Sequence, residues 1–257
     1  MQTALFFDLH SWLYGMAMAS ARLMPAFVLL PFFNTSTLTG AIRLPVAMFI
    51  GGALWPYAKA PFSEFNDGFL LLLLGKELVL GLIIACFLCL PCWVLHAAGS
   101  FIDNQRGATL SSMLDPVSGV DSSELANFFN LFAAVIVLQS GGLLLLLQVF
   151  ERSYQLWEPY QMTLPALPQI TGFLSILVGK SIVLASPLII MFLLSEVLLG
   201  LLARYSPQLN AFSLAMTVKS ALGFLLLLLY FNPVFLDRVL TLRLLPQAMM
   251  QWGLTTF

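Results

Sequence analysis

Six ionisable side chains, Arg22, Lys76, Glu77, Lys180, Glu196 and Lys219, stand inside runs of sequence that are otherwise apolar. A charge near the centre of a bilayer is disfavoured by around 2.5 to 3.5 kcal/mol on insertion scales, so each demands a counter-charge, a watery cavity or a partner subunit. In such a setting these groups could neutralise one another, bind a substrate or couple to protons. A hairpin closed by RYSPQLN, with Pro207, Gln208 and Asn210 at the turn, sets side by side residues whose numbers sum to about 415. Glu196 then faces Lys219, and Lys180 lies near Asp237. Such pairs would neutralise buried charge. Lys76 and Glu77 have no internal partner by this arithmetic, which favours contact with another chain. The alternative for all six, Arg22 included, is snorkelling to the interface or meeting partner subunits.

Other sets of reactive residues carry less. Cys89, Cys92 and His96 have zinc-like spacing, but Pro91 and wholly apolar surroundings offer no outer shell of hydrogen-bond partners, so packing is the better reading and no metal or cofactor is expected. Cys86, Cys89 and Cys92 fall within one apolar run and imply no disulfide framework. No Gly-rich phosphate loop, Ser/His/Asp set or carboxylate pair at catalytic spacing occurs, and the chain is read as non-enzymatic. His10 beside Asp8 reads as a surface or interface group. Scattered methionines are read mainly as core, and only Met113 gains from its position.

That position is the polar segment GSFIDNQRGATLSSMLDPVSGVDSSE, residues 99–124, which carries Asp103, Arg106, Asp115, Asp121 and Glu124 between two greasy stretches. Loops rich in Gly, Asp and Pro between rigid helices are readily reshaped, and function collects on them. Gly107 and Gly119 supply hinges. Asp115 before Pro116 biases a turn. Met113 with Leu114 offers a deformable apolar seal that can exclude water.

The elements that must hold this segment are helices. Sixty per cent of the residues are apolar and 9% charged, with a mean hydropathy of +0.95, which excludes an ordinary soluble domain and fits a polytopic membrane protein. Basic residues scattered singly in a chain of net charge −1 exclude a nucleic-acid binder. The N-terminus lacks a basic leader and reads as a retained first helix, about Leu5 to Phe33, bent or ended by Pro25 and Pro31. Further apolar runs follow at Ala41–Tyr57, Phe69–Ala98 (loosened by Gly81 and Pro91), Leu125–Phe150 (capped by Asp121 with Glu124), Ile170–Ala203 (broken by Lys180, Pro187 and Glu196) and Ala211–Phe231. Trp157 and Tyr160, among prolines 159, 165 and 168, mark a membrane interface. The fold class is all-α, built of membrane-type helical hairpins. Arg and Lys are spread evenly among the loops, so orientation is not declared, as suits a subunit buried in a larger assembly.

Five strings, ARLMPAFVLLPFF, GKELVLGL, AGSFIDNQRG, LDPVSG and ARYSPQLNAFSLAMTVKSALG, occur in order over almost the whole chain. Together they resemble the SctT/FliR family of export-apparatus subunits, called SpaR or EscT in particular injectisomes and FliR in flagella. IDNQRG is similar to the injectisome members. The resemblance implies protein transport by a type III secretion system, a virulence device in injectisomes. It implies one copy of this subunit with five SctR-type and four SctS-type subunits, and an SctU-type neighbour. The family complex forms an entry pore in the bacterial inner membrane for unfolded secreted polypeptides, its helical hairpins making a tilted cone projecting toward the periplasm. On that likeness residues 1–168 are SctR-like and residues 169–257 an SctS-like hairpin and tail. The loop that plugs the family's closed pore matches residues 106–121 here, including Arg106, Gly107, Met113, Leu114, Asp115, Pro116 and Gly119. Two other readings stay open: a self-contained small-molecule transporter using Lys180, Glu196 and Lys219, and an assembly scaffold without gating.

Overall fold

Without water to satisfy them, backbone amides in an apolar chain must pair within their own segment, and helices do this locally. The computed structural model describes residues 2–33, 39–56, 67–107, 123–165, 167–205, 211–230 and 235–247, and its regular elements are all helical. Helix α1 spans Gln2–Leu29, and a 3-10 turn follows at Pro31–Phe33. The others are α2 (Gly40–Leu54), α3 (Asp67–Arg106), α4 (Glu124–Gln139), α5 (Gly142–Leu156), α6 (Leu167–Tyr205), α7 (Ala211–Tyr230) and the short α8 (Leu236–Thr241). Stretches Gly68–Arg106 and Ile170–Tyr205 are long and apolar enough to cross a bilayer, and α4 with α5 adds a third if that bent pair is one span. The protein is an all-α membrane protein.

Three expectations are corrected. Helix α3 does not end at Ala98 but continues through Asp103 to Arg106, because the buried Asp103 carboxylate is satisfied by Arg106, Ser123 and the Leu125 amide. Helix α6, expected to be broken at Lys180, Pro187 and Glu196, runs unbroken through all three, as α3 does through Pro91. In apolar helices neighbouring groups can re-satisfy the carbonyl that a proline leaves free. The apolar run Leu125–Phe150, read as one helix, is two, bent by 75° at Gly141. Gly141 has φ 81°, a left-handed conformation that glycine alone adopts without strain, and its N–H closes on the Leu138 carbonyl at 3.1 Å.

The chain divides into two compact units. Unit 1 comprises residues 1–90, 138–173 and 243–257. Here α1 meets α3 at Gly81, where a Cβ would stand 2.0 Å from the Arg22 carbonyl oxygen, so only glycine lets the two backbones approach this closely. Arg243 Nη1 donates to the carbonyl (2.8 Å) and hydroxyl (2.9 Å) of Ser140 at the bend. Unit 2 comprises residues 91–137 and 174–242. In it α3 presses on α4 at Gly99, where a Cβ would lie 2.6 Å from the Ala126 Cα. Helices α6 and α7 pack together through Phe192 on Gly223.

Candidate functional site

Unit 1 holds a buried charge cluster. Arg22, fully buried on α1, donates from Nε to Glu77 Oε2 at 2.5 Å and from Nη2 to Glu77 Oε1 at 2.9 Å, a two-pronged pair that fits guanidinium to carboxylate. Two further N–H groups reach the Ser153 hydroxyl (3.0 Å) and the Trp157 carbonyl (2.9 Å), and its guanidinium lies 4.3 Å over the Tyr154 ring. Lys76 sits 3.0 Å from Glu77 Oε1 and donates to the carbonyls of Glu158 (2.7 Å), Pro159 (3.2 Å) and Gln161 (2.8 Å). These carbonyls lie in the turn that follows α5, beyond the C-terminal end of its dipole, which favours cations. The expectation that Lys76 and Glu77 lack internal partners is therefore overturned. Their partners come from segments far away in sequence, beyond the reach of any hairpin arithmetic.

Unit 2 holds the two ends of the polar segment. Asp103, fully buried on the last turns of α3, accepts from Arg106 Nε at 2.7 Å through one oxygen. Its other oxygen accepts from the Ser123 hydroxyl (2.8 Å) and the Leu125 amide (3.0 Å). One carboxylate thus joins the end of α3 to the start of α4. Ser123, whose oxygen accepts from the Ala126 amide at 3.4 Å, caps α4 together with Asp103. Gly107, at φ 81°, ends α3 with its amide on the Asn104 carbonyl at 3.2 Å. The Arg106 guanidinium lies 5.5 Å from the Phe224 ring centre on α7. Beside it Lys219 is ion-paired with Glu196, as the 415 rule expects, and also donates to the Gln105 carbonyl at 3.1 Å. Four helices, α3, α4, α6 and α7, converge on this one charged knot.

Among the expected site residues, Arg106, Gly107, Glu196 and Lys219 come together here. Met113, Leu114, Asp115, Pro116, Gly119, Pro207, Gln208 and Asn210 lie outside the described residues, as does Asp121 with its expected capping role. Lys180 forms no ion pair with Asp237 and instead lines a cavity with Arg238, because α7 stops at Tyr230 and the hairpin register does not extend past it. Asp103, named in the sequence only as one charge of the polar segment, carries the knot with Ser123, which was not singled out. The i, i+3 spacing of Asp103 and Arg106 was the available signal. Cys89 and Cys92 are buried free thiols. The arrangement binds charge and anchors chain ends.

Residues 13–242 match the model of a family described as bacterial export proteins, family 1. The chain is 43% identical to the surface presentation of antigens protein SpaR of Salmonella typhimurium, over 97% of this chain and 95% of that one. It is 37% identical to the Yop proteins translocation protein T of Yersinia pestis, over 81% and 82% of the two chains. It is 26% identical to the flagellar biosynthetic protein FliR of Bacillus subtilis, over 83% and 85%. A family match spanning nearly the whole chain, with relatives aligned almost end to end, places this protein in the family of bacterial export proteins, family 1.

Proposed function

We propose that this protein is a subunit of a type III secretion export gate in the bacterial inner membrane, forming with SctR-type, SctS-type and SctU-type subunits the entry pore for unfolded secreted polypeptides. Identity of 43% along the length of a surface presentation of antigens protein carries the reading, and the lower 26% to the flagellar relative favours an injectisome. Residues 1–168 are the SctR-like portion and residues 169–257 the SctS-like hairpin, set as part of a tilted helical cone. The subunit is a conduit, not an enzyme, and other components supply energy. Its segment from Arg106 to Gly119, with Met113, Leu114, Asp115 and Pro116 as the seal, plugs the resting pore. The Asp103 clasp supports this, since a plug needs fixed ends.

Deleting residues Gly107–Gly119 tests the plug. Complexes should still assemble, and the membrane should leak ions, read as loss of membrane potential. Failed assembly with no leak would leave the scaffold role instead. The transporter alternative gains nothing from the geometry, because Glu196 and Lys219 are already engaged with each other.

A further inference from the structure

The Asp103 carboxylate joins the end of α3 to the start of α4, so it closes the polar segment into a loop without fixing where that loop stands against the rest of unit 2. That position is set from α7. Lys219, Ser220, Gly223, Phe224 and Leu227 form one stripe of this helix, at i, i+1, i+4, i+5 and i+8. The last four line, with Ile102, Arg106 and Leu125, a residual cavity of about 10 Å³, no more than the room of about one water. Helix α7 is thus packed closely against both ends of the segment.

Lys219 adds a directed contact to this packing. Gln105 is the next-to-last residue of α3, and its carbonyl is one of the final four that a helix leaves without an amide of its own. The Asn104 carbonyl takes the Gly107 amide at 3.2 Å, whereas the Gln105 carbonyl takes the Lys219 ammonium at 3.1 Å. A cation placed there also meets the negative end of the helix dipole. Water can satisfy an exposed helix end, yet here a buried ammonium does so while paired with Glu196, whose side chain is half exposed. The two contacts of Lys219 therefore have different tasks. The Glu196 pair holds α7 to α6, and the carbonyl bond holds α7 to the last turn of α3, 114 positions earlier.

We infer that Lys219 is a positioning residue for the polar segment: its bond to the Gln105 carbonyl ties the base of the segment to the α6–α7 hairpin and so keeps the plug seated. The seating rests on the plug reading, whereas the tie does not. E196K/K219E separates the two tasks, because it keeps an ion pair between α6 and α7 while removing the donor at position 219. In assembled complexes of this variant, the amides of residues 103–107 should exchange hydrogen about tenfold faster than in the unaltered protein, the factor that loss of a charge-assisted hydrogen bond corresponds to. Exchange in the middle of α7 should stay the same. Vesicles holding these complexes should leak ions, more slowly than those with Gly107–Gly119 deleted. Lys219→Arg, which still donates to both partners, should show neither change. If the reversed pair blocks assembly, E196Q/K219M removes the donor and both charges at nearly constant volume and is read in the same way. Unchanged exchange at residues 103–107 in the assembled variant would overturn the tie. Faster exchange with no leak, in vesicles where the deletion does leak, would overturn the seating role. A deletion that itself fails to leak faults the plug reading instead, and exchange alone then decides the tie.

Discussion

Arg22 and Glu77 illustrate how a membrane protein keeps full charges inside: four of the guanidinium's five N–H groups bond one carboxylate, one hydroxyl and one carbonyl, and the Tyr154 ring lies over its face. Replacing Glu77 with Gln leaves Arg22 and Lys76 without their shared anion and should destabilise unit 1 by about 3 to 5 kcal/mol, the range for breaking a buried pair. The drop in thermal midpoint of the purified protein measures this. Arg22→Lys should not rescue, because an ammonium cannot make the two-pronged contact and reach Ser153 and Trp157 as well. At Glu196 and Lys219 the effect is milder, since Glu196 is half exposed and its pairing is screened. Each single charge reversal there should impair assembly. E196K/K219E should restore most of it, falling short because a carboxylate at position 219 cannot donate to the Gln105 carbonyl. No gain of the double over the singles would reject the pairing as functional. This pair was legible in the sequence because a symmetric hairpin fixes register by counting. Arg22 with Glu77 was not, because pairing across 55 residues depends on how α1 packs, which no local pattern encodes.

Among the helices, close crossings are made by missing side chains. Gly81→Ala would drive a methyl into the Arg22 carbonyl and should force α1 and α3 apart, with a loss beyond the ~1–3 kcal/mol typical of overpacked cores. Gly200→Ala is the control: a Cβ there meets nothing within 4 Å, and the helix should gain up to about 1 kcal/mol. Comparable thermal midpoints for the two variants would refute the crossing argument. The helices themselves were readable from apolar runs, and α2 and α7 fall within a few residues of expectation. What misled was polarity used as a boundary. Asp103 and Arg106 looked like loop residues yet are helical, since their polarity serves the knot at the helix end. The bend at Gly141 was written in Ser140, Gly141 and Gly142, but an uninterrupted apolar stretch hid it.

For the molecule as a whole, surface composition points to company. The most apolar stretch of α6 is only 28% buried, against 61% for that of α3, and it presents Leu193, Leu194, Val197, Leu198 and Leu201 outward. An exposed apolar face of this extent belongs against lipid or other subunits. Extracted gently from its native membrane, the protein should therefore run in a particle far heavier than its own 28.3 kDa. A lone monomer of that mass that takes up small molecules would overturn the export reading. Composition alone announced the membrane setting, while the division into units did not show in the sequence because each unit draws on separated segments.

That interleaving bears on the order of events at the ribosome. The carbonyl and hydroxyl of Ser140, at the turn between α4 and α5, accept from Arg243, a residue translated 103 positions later. Until that late stretch has emerged, the first ninety residues can gather around α5, but the turn lacks its contact with Arg243. A chain stalled or truncated shortly before residue 243 would thus arrive in the membrane with most of its helices present and its first unit still lacking the latch from Arg243.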